Sequence, residues 1–528
     1  MNKKCIVVTI LSLMQLCHNL SACEFQGISF FSPRSQGANN ARRLSSWHCY
    51  RDIDQNEALC TAILVTPSYA HSQRAERIAQ VLFGNGNIVI QGSQVIDRDT
   101  CALIADYFGL SPDFQSSVEI VPNIRNRLID CEFHVSLGET CPALYLQLNL
   151  PIVYTKWHLK MVETILNGSS NSPFNPLYMD EGAVDPAITS FTQAWNGAVT
   201  FGQMTEQQRF GILNCPRTAH GIANLMTTVG YHVILCDAGR ADIALQITAP
   251  TGTRPESHYF FEPIAGNGRH LVIGVDLAGD WLLWERECMQ EVRLFGDVTF
   301  STLCKSRQKR SFDIRDISAN TMQPYNNFGT RFLLLKEFDG NTYTKHLVRA
   351  INHTTLACNV SVDLEIDIAI MGSYTYCNTF FDLGYNGWIR SKEKISLHET
   401  PRINNLGIKG LQNVAIAPSV VNNETQSNAT LFGTETPTPD VPSPQFLSAM
   451  NIDLRSAASP RLITHKLFFN LGSFGSRCEY NSGSSPHVFA CVGGELEFQA
   501  INPRTNPKPV HTTMSQWEIY LKIGYVFF

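Results

Sequence analysis

The sequence of 528 residues predicts an all-β protein, a transmembrane antiparallel β-barrel of roughly 12 to 16 strands with a few short helices in its loops. Three observations support this fold class: an export signal at the start of the chain, alternating runs long enough for one membrane-spanning strand, and an aromatic-rich strand at the last residues. With 44% hydrophobic and only 16% charged residues, the chain is too apolar to be a disordered segment.

Residues 1–22 have the features of a secretory signal peptide. Lys3 and Lys4 precede an apolar stretch, and small residues follow at positions 21 and 22. The stretch is shorter than the ~20 apolar residues of a membrane helix, and no later window supplies that many. Because residues 1–22 carry two lysines and no acid, their removal changes the net charge from −5 to −7. The sequence LSAC at 20–23 also resembles a bacterial lipobox, so Cys23 is a candidate for lipidation, with ordinary cleavage nearby as the alternative.

The dominant pattern is an alternation of apolar and polar residues with the period of a β-strand. It is clearest in VSVDLEIDIAI at 360–370, whose eleven residues match one membrane-spanning strand. Two runs, 129–137 and 144–150, flank turn residues and predict a hairpin. Similar runs occur at 243–249, 271–277, 292–300, 381–389, 488–498 and 517–527. Alternation alone also fits a soluble β-sandwich, whereas the export signal and the strand lengths favour the barrel.

The polar faces of these strands are expected to line the barrel interior. A charged side chain at the bilayer midplane costs on the order of 2 to 4 kcal/mol, somewhat less for an acid, so the acids within 360–370 should face the lumen. The candidate lumen-lining residues are three acids and four opposing cations: Asp363, Glu365, Asp367, Arg125, Arg127, Arg390 and Lys392. Charges of this kind would bias ion passage or, alternatively, only wet an occluded interior.

The last strand carries candidate residues for the aromatic belts of a membrane protein. Trp517 lies at one end of the strand, and Tyr525 and Phe527 lie at the other. Burial in an ordinary core is the alternative reading of these side chains.

The chain after the signal divides into a short segment and the barrel. Residues 23–58 are expected to plug the barrel or cover its periplasmic end, and residues 59–528 are expected to form the barrel. Within it, about 391–466 is rich in Asn, Ser, Thr and Pro and is expected to be a long exposed loop. Capping residues predict two short helices at about 72–83 and 101–108.

Several blocks carry a resemblance to a known family. They are FFSPRSQGANNARRL at 30–44, LIADYFGLSPDF at 103–114, PTGTRPESHYFFEPIAGNGRH at 250–270, KSRQKRSFDI at 305–314, DLGYNGWIRSKEKI at 382–395 and GGELEF at 493–498. Together they resemble a family of largely uncharacterised outer-membrane β-barrels of Dependentiae-type bacteria, which live inside protists. The resemblance implies a bacterial outer-membrane location and a barrel fold, and it supplies no substrate or site residues. Such barrels usually end on a lipid-facing aromatic that the barrel-assembly machinery recognises; here that row ends on Phe527, one residue before the last.

The sequence contains none of the motifs that would predict an enzyme, a cofactor or a metal site. It has no G-x-S-x-G elbow, no H-E-x-x-H, no phosphate-binding loop and no dinucleotide fingerprint. A net charge of −5, with a single tight basic run at 305–310, also argues against a nucleic-acid partner.

The function expected from these observations is porin-like passage of small hydrophilic solutes, with a mild cation preference from the charge of −7. The alternative is a closed barrel that acts as a surface-interaction, adhesion or structural protein, with the loop at 391–466 contacting a host partner. The sequence leaves two other classes open. Five N-x-S/T triplets and a dibasic run at 307–311 would suit a secreted glycoprotein, and carriage of apolar substrates would need an apolar pocket that the acidic inner face does not suggest.

Overall fold

The computed structural model describes residues 28–54, 59–83, 87–92, 95–99, 102–137, 143–168, 188–213, 216–286, 290–315, 329–340, 342–408, 446–475, 487–498 and 514–527. Within these ranges, twelve long strands form the framework. In chain order they are β1 (Leu59–Ser72), β2 (Gln115–Leu137), β3 (Leu144–Asn167), β4 (Met226–Cys236), β5 (Gly239–Thr248), β6 (Val272–Arg286), β7 (Gln290–Ser311), β8 (Thr355–Tyr376), β9 (Thr379–Arg390), β10 (Leu462–Phe474), β11 (His487–Phe498) and β12 (Gln516–Phe527).

The twelve strands close into a barrel. Each strand pairs antiparallel with its neighbour in the chain, and β1 pairs with both β2 and β12, so the sheet has no free edge at its seam. The last pairing runs from Thr61 opposite Phe527 to Ser72 opposite Gln516. Closure of this kind satisfies every backbone hydrogen bond within the sheet. The predicted fold class is confirmed, and the strand number lies at the lower end of the predicted range.

The connections differ greatly between the two ends of the barrel. At the end that holds Phe527, the strands join through short segments, such as two residues between β4 and β5 and two between β8 and β9. We call this the short-turn end. At the opposite end, β7 and β8 are separated by residues 312–354, and β9 and β10 by residues 391–461. We call it the loop end. Short turns at one end and long loops at the other are typical of outer-membrane barrels.

The remaining elements are short. The helices are α1 (Asn40–Leu44), α2 (Trp47–Asp54), α3 (Ala75–Phe83), α4 (Phe191–Ala194) and α5 (Ala350–Thr354), with single 3₁₀ turns at Ala105–Phe108, Thr330–Phe332, Ala449–Asn451 and Leu454–Ala457. Minor strands lie at Asn87–Gln91, Leu103–Ile104, Arg217–Ile222, Asp313–Ile314, Leu334–Asp339, Thr342–Arg349, Lys394–Leu397, Leu406–Ile408 and Ile452–Asp453. Across the described ranges, no helix combines the length and the apolar character needed to cross a bilayer.

The outer face of the barrel is apolar and the inner face is polar. On β12, Ile519, Leu521 and Ile523 point outward and are 54%, 40% and 49% exposed, while Tyr520 and Lys522 between them point inward and are buried. The same inversion recurs on β5, β6 and β10. A soluble sandwich would place these apolar rows inside, so the pattern decides for a barrel whose outer face contacts lipid.

The long connections fold together into a cap over the loop end. Phe108 follows β1, Phe191 and Trp195 follow β3, Phe260 follows β5 and Phe332 follows β7, and all five side chains are buried. Their rings are in contact, with centroids 4.9 Å apart for Phe191 and Trp195 and 5.6 Å apart for Trp195 and Phe332. Aromatic contacts of this kind between four connections hold the cap in one conformation.

Two sequence predictions for the connections need correction. The described ends of the loop predicted at 391–466 are exposed only in part, because apolar residues such as Ile403, Leu406 and Leu447 are buried in the cap, and residues from Leu462 onward belong to β10. Residues 409–445 lie outside the described ranges. The helix predicted from residue 72 begins instead at Ala75, because Ser72 still pairs in the sheet.

Candidate functional site

The lumen of the barrel is filled by the segment 28–54, which we call the plug. At the loop end, the hydroxyl of Ser29 donates a hydrogen bond to the Ser311 carbonyl (2.5 Å), and the Ser29 amide donates to Ser456 (3.0 Å). At the short-turn end, Trp47 and Tyr50 of α2 pack in a cluster that includes Leu64 and Val526. The plug therefore runs through the whole length of the barrel.

The inner wall carries more buried acids than buried bases. Along the twelve described strands there are eleven such acids, Asp130, Glu132, Asp242, Asp276, Asp280, Asp297, Asp367, Asp382, Glu495, Glu497 and Glu518, and six bases, Arg240, Arg293, Arg310, Arg390, Lys466 and Lys522. Buried carboxylates need hydrogen bonds or opposite charges. The plug has a sequence suited to this surface, because residues 25–51 contain four arginines and no acid.

Arg43 of α1 joins two strands of the wall. Its guanidinium lies 2.9 Å from Asp276 of β6 and 2.5 Å from Asp297 of β7. Neighbouring Asn40 donates to Asp297 (2.7 Å) and to Thr299 (2.9 Å). One face of the short helix is thereby fixed against two adjacent strands by charge-assisted hydrogen bonds, which are stronger than neutral ones.

Arg42 binds the opposite side of the barrel. It lies 3.1 Å from Asp130 of β2 and 3.0 Å from Glu518 of β12. Asn39, the residue before α1, donates to both carboxylate oxygens of Glu495 at 2.8 and 2.9 Å, and Lys466 pairs with the same carboxylate at 2.9 Å. Two consecutive arginines thus reach four carboxylates from strands on opposite sides of the lumen.

The rest of the plug follows the same pattern. Glu132 pairs with Lys522 (2.8 Å) and accepts hydrogen bonds from Ser46 (2.6 Å) and the Tyr50 hydroxyl (2.8 Å). His48 lies 3.0 Å from Asp382, and its ring stacks on Phe380 with centroids 4.2 Å apart. Contacts with acidic side chains of the wall are thus spread along the plug from Arg34 to Tyr50.

Between described residues, the cavities beside the plug include two small ones. Each has a volume of about 50 Å³, one against Arg34, Trp388 and Glu497, the other against Asn40, Asp130 and Gln246. A cavity needs about 10 to 15 Å³ of such volume to hold a water molecule, so each is large enough for water. In this conformation neither cavity has room for a sugar.

Three of the predicted lumen-lining residues, Asp367, Arg390 and Glu365, do face the interior. Asp367 and Arg390 contact the plug, and Glu365 is directly opposite Arg390 on the neighbouring strand. Asp367 pairs with Arg34 and accepts a hydrogen bond from Asn386 at 2.6 Å. Arg390 donates to the Ser32 hydroxyl (3.1 Å) and the Ser32 carbonyl (2.6 Å). Glu365 and Arg390 both line the second cavity.

Asp363 was expected in the lumen but lies on the outer surface, where it pairs with Lys394 at 2.5 Å. The reason is a β-bulge in β8. Leu303 of β7 faces Val362, whereas Ser301 faces Glu365, so β8 has one extra residue across this step. The bulge reverses the alternation, which explains why Val360 and Val362 are buried inside although the sequence pattern places them in the lipid-facing row.

The cations Arg125, Arg127 and Lys392 also do not face the lumen. Arg125 and Arg127 share the outward row of β2 with Ile129 and are exposed, and Lys392 is exposed after the end of β9. The period of two that places Ile129 in the outward row assigns the two arginines to it as well. The alternation in the sequence therefore indicates the outward position of Arg125 and Arg127.

The structure places all three aromatic-belt candidates in the outward row of β12. Tyr525 and Phe527 are 38% and 43% exposed near the short-turn end. Trp517, near the loop end, contacts the rings of Tyr69 and His71. The predicted signal peptide and the lipidation candidate Cys23 lie outside the described residues.

Comparison with known proteins finds no matching family profile and no matching curated protein. Among solved structures, an outer-membrane channel from Pseudomonas putida F1 is 11% identical with a TM-score of 0.31, over 88% of this chain and 94% of that chain. A FadL homologue from Pseudomonas aeruginosa is 6% identical with a TM-score of 0.28, over 96% and 99% of the two chains. The translocator domain of the autotransporter NalP from Neisseria meningitidis is 5% identical with a TM-score of 0.23, over 93% and 94%. The site described above is therefore interpreted from its own geometry.

Proposed function

We propose that the protein is a channel of the bacterial outer membrane that passes small hydrophilic solutes, and that its own N-terminal segment holds it closed. The observation that carries this proposal is the match between the acidic wall and the arginines of the plug. Arg34, Arg42 and Arg43 contact carboxylates of β2, β6, β7, β8 and β12.

The polar contacts between the plug and the barrel wall support a plug that can move out of the lumen. Pairing buried charges is no more stabilising than packing apolar residues of similar volume, so a barrel that only needed a solid core could use an apolar one. A polar and charged wall, by contrast, can be hydrated once the plug moves. The vacated lumen would then be a water-filled passage bounded by fixed charges.

The shape of the barrel supports the proposed location. Its outer face presents lipid with rows such as Leu467, Phe469 and Leu471, while the long connections gather at one end. In bacterial outer membranes such connections face the outside of the cell and the short turns face the periplasm. The cap would then lie on the cell surface.

A second candidate is a permanently closed barrel with a role in surface interaction or structure. The cap favours it, because buried aromatic side chains from four connections form a continuous core over the loop end. In this case the plug would be a structural filling of the barrel, and the surface of the cap would be the functional part.

Removal of residues 28–54 distinguishes the two candidates. The full chain and the variant would be purified in detergent, and resistance to cold SDS would establish that each barrel is closed. Both would then be inserted in planar bilayers and in liposomes exposed to sugars. We expect the variant to conduct and to admit sugars at rates well above those of the full chain. A folded variant that neither conducts nor swells liposomes would favour the closed barrel.

A further inference from the structure

A cluster of cations lies on the outer face of the barrel near the loop end. His71 of β1, Arg125 of β2 and Lys156 of β3 occupy directly opposed positions on three neighbouring strands. Arg127 lies two residues along β2, and Lys160 lies four residues along β3 on the same face. We call these five residues the basic rim patch.

The patch lies where the apolar outer face of the barrel ends, on the side of the loop end. One step towards the bilayer centre, Arg127 is flanked by Tyr69 of β1 and Tyr154 of β3. One step further, Ile129 faces Ile152, and both side chains are about half exposed on the apolar outer face. Trp517 of β12 is opposite His71 in the same row. Cations bordered by tyrosine and tryptophan mark the level of the lipid headgroups.

The patch lacks acidic partners within the described part of the chain. Arg125 donates a hydrogen bond to Asn123 (3.1 Å), and neither the two arginines nor the two lysines form an ion pair with a described residue. Some outward cations elsewhere on the barrel are paired, since Lys309 pairs with Glu256 at 3.5 Å and Lys394 pairs with Asp363 at 2.5 Å. The rim patch is therefore a site where cationic charge is concentrated and uncompensated.

We propose that the basic rim patch binds the phosphorylated headgroup of a lipid in the leaflet at the loop end. Side chains directly opposed on neighbouring strands are about 5 Å apart, and residues two apart on a strand are about 7 Å apart, so Arg125, Arg127 and Lys156 can reach one phosphate group together. Arginine binds phosphate through two parallel hydrogen bonds. The tyrosines and isoleucines below the patch lie where the acyl chains of the same lipid would run. This inference requires a membrane-spanning barrel but is independent of whether the barrel conducts.

Spin-labelled lipids test the assignment on the full chain. The protein would be reconstituted in phosphatidylcholine bilayers with a small fraction of spin-labelled phosphatidic acid, which carries a phosphomonoester, or of spin-labelled phosphatidylcholine. The motionally restricted fraction measures binding at the protein surface. We expect the full chain to favour phosphatidic acid by at least about fivefold, the effect that a single interfacial Lys or Arg supplies. Equal binding of the two lipids would overturn the proposal.

Two variants that each lose three positive charges distinguish a defined lipid site from a general electrostatic attraction to the protein. Arg125→Gln, Arg127→Gln and Lys156→Gln combined should reduce the preference to about one, whereas Arg307→Gln, Lys309→Gln and Lys394→Gln combined should leave it within about twofold of the full chain. Resistance to cold SDS checks that both fold. The same loss in both variants would contradict a defined site. Displacement of the restricted lipid by millimolar inorganic phosphate would identify a free-anion site and would also overturn the lipid assignment.

Discussion

At the residue scale, Arg43 carries an unusual share of the contact between plug and wall, since its guanidinium serves both Asp276 and Asp297. Removing one partner of a buried ion pair costs about 3 to 5 kcal/mol, because the remaining charge is left without compensation. In Arg43→Met, the two neighbouring carboxylates would lack their shared cation. Water that enters the lumen would hydrate them, so we expect the closed state to be less stable. We expect this variant to open in planar bilayers far more often than the unmodified protein while its barrel stays resistant to cold SDS.

A compensated variant provides the control for Arg43→Met. Combining it with Asp276→Asn and Asp297→Asn removes the two unpaired charges and keeps side chains of similar volume. We expect the combined variant to return towards the closed state of the unmodified protein. If it conducts as readily as Arg43→Met alone, the guanidinium acts by filling space and the charge argument is wrong.

Gly37 tests the plug without a change of charge. A Cβ atom at this position would lie 2.5 Å from the Ala223 carbonyl oxygen and 2.6 Å from Cγ of Pro151. A residue with a side chain therefore cannot replace Gly37 unless the plug or its neighbours move. Gly37→Val should displace the plug and raise the conductance, as measured in the same bilayer assay. Gly296→Ala, whose added Cβ meets no atom within 4 Å, is the matched control and should conduct like the unmodified protein.

At the element scale, the cap is a folded unit built from separate connections, and its aromatic core should govern its stability. Phe260 contacts Phe83, Phe261 and Trp195. Phe260→Ala should destabilise the cap by about 3 to 5 kcal/mol, the usual loss for a buried Phe. Limited proteolysis should then cleave the long connections of the variant while the strands remain protected.

Ile96→Ala is the control for the cap, because Ile96 is 88% exposed. It should leave the proteolysis pattern of the connections unchanged. If Phe260→Ala also leaves that pattern unchanged, the cap core does not hold the connections together.

The strands show how far local patterns predict this fold. The outward rows at 129–137, 243–249 and 517–527 follow the alternation read from the sequence. Prediction failed at the bulge in β8, because one extra residue reverses the alternation and the composition of the strand does not mark it. Asp363 was misplaced for that reason. The prediction for Arg125 and Arg127 was wrong because their position in the outward row of Ile129, and not their charge, determines where they point.

The plug was foreseen as one possible use of the N-terminal segment, whereas its contacts could not be foreseen. Arg43 and Asp297 are 254 residues apart in the chain, and Asn39 and Glu495 are 456 residues apart. Only closure of the barrel brings such residues together. The signal available in the sequence was compositional: four arginines and no acid in residues 25–51, and acids along the polar faces of the strands.

At the scale of the whole molecule, the protein inverts the usual arrangement of a soluble fold, with apolar rows outside and a charged interior. Eleven buried acids against six buried bases on the described strands leave the wall with a negative excess. Three arginines of the plug offset part of it: Arg34, Arg42 and Arg43. The charge of the lumen is therefore determined by whether the plug is in place.

Ion selectivity after removal of the plug follows from that balance. A variant lacking residues 28–54 loses the arginines and keeps the wall, so its open lumen should favour cations, because rings of Asp and Glu attract them in pores. The reversal potential in a potassium chloride gradient measures the preference. Adding Asp130→Asn, Asp276→Asn and Asp297→Asn should shift it towards zero, since each change removes one wall charge. Anion selectivity of the open variant would show that the wall acids do not set the field, and the match between wall and plug would then have no role in conduction.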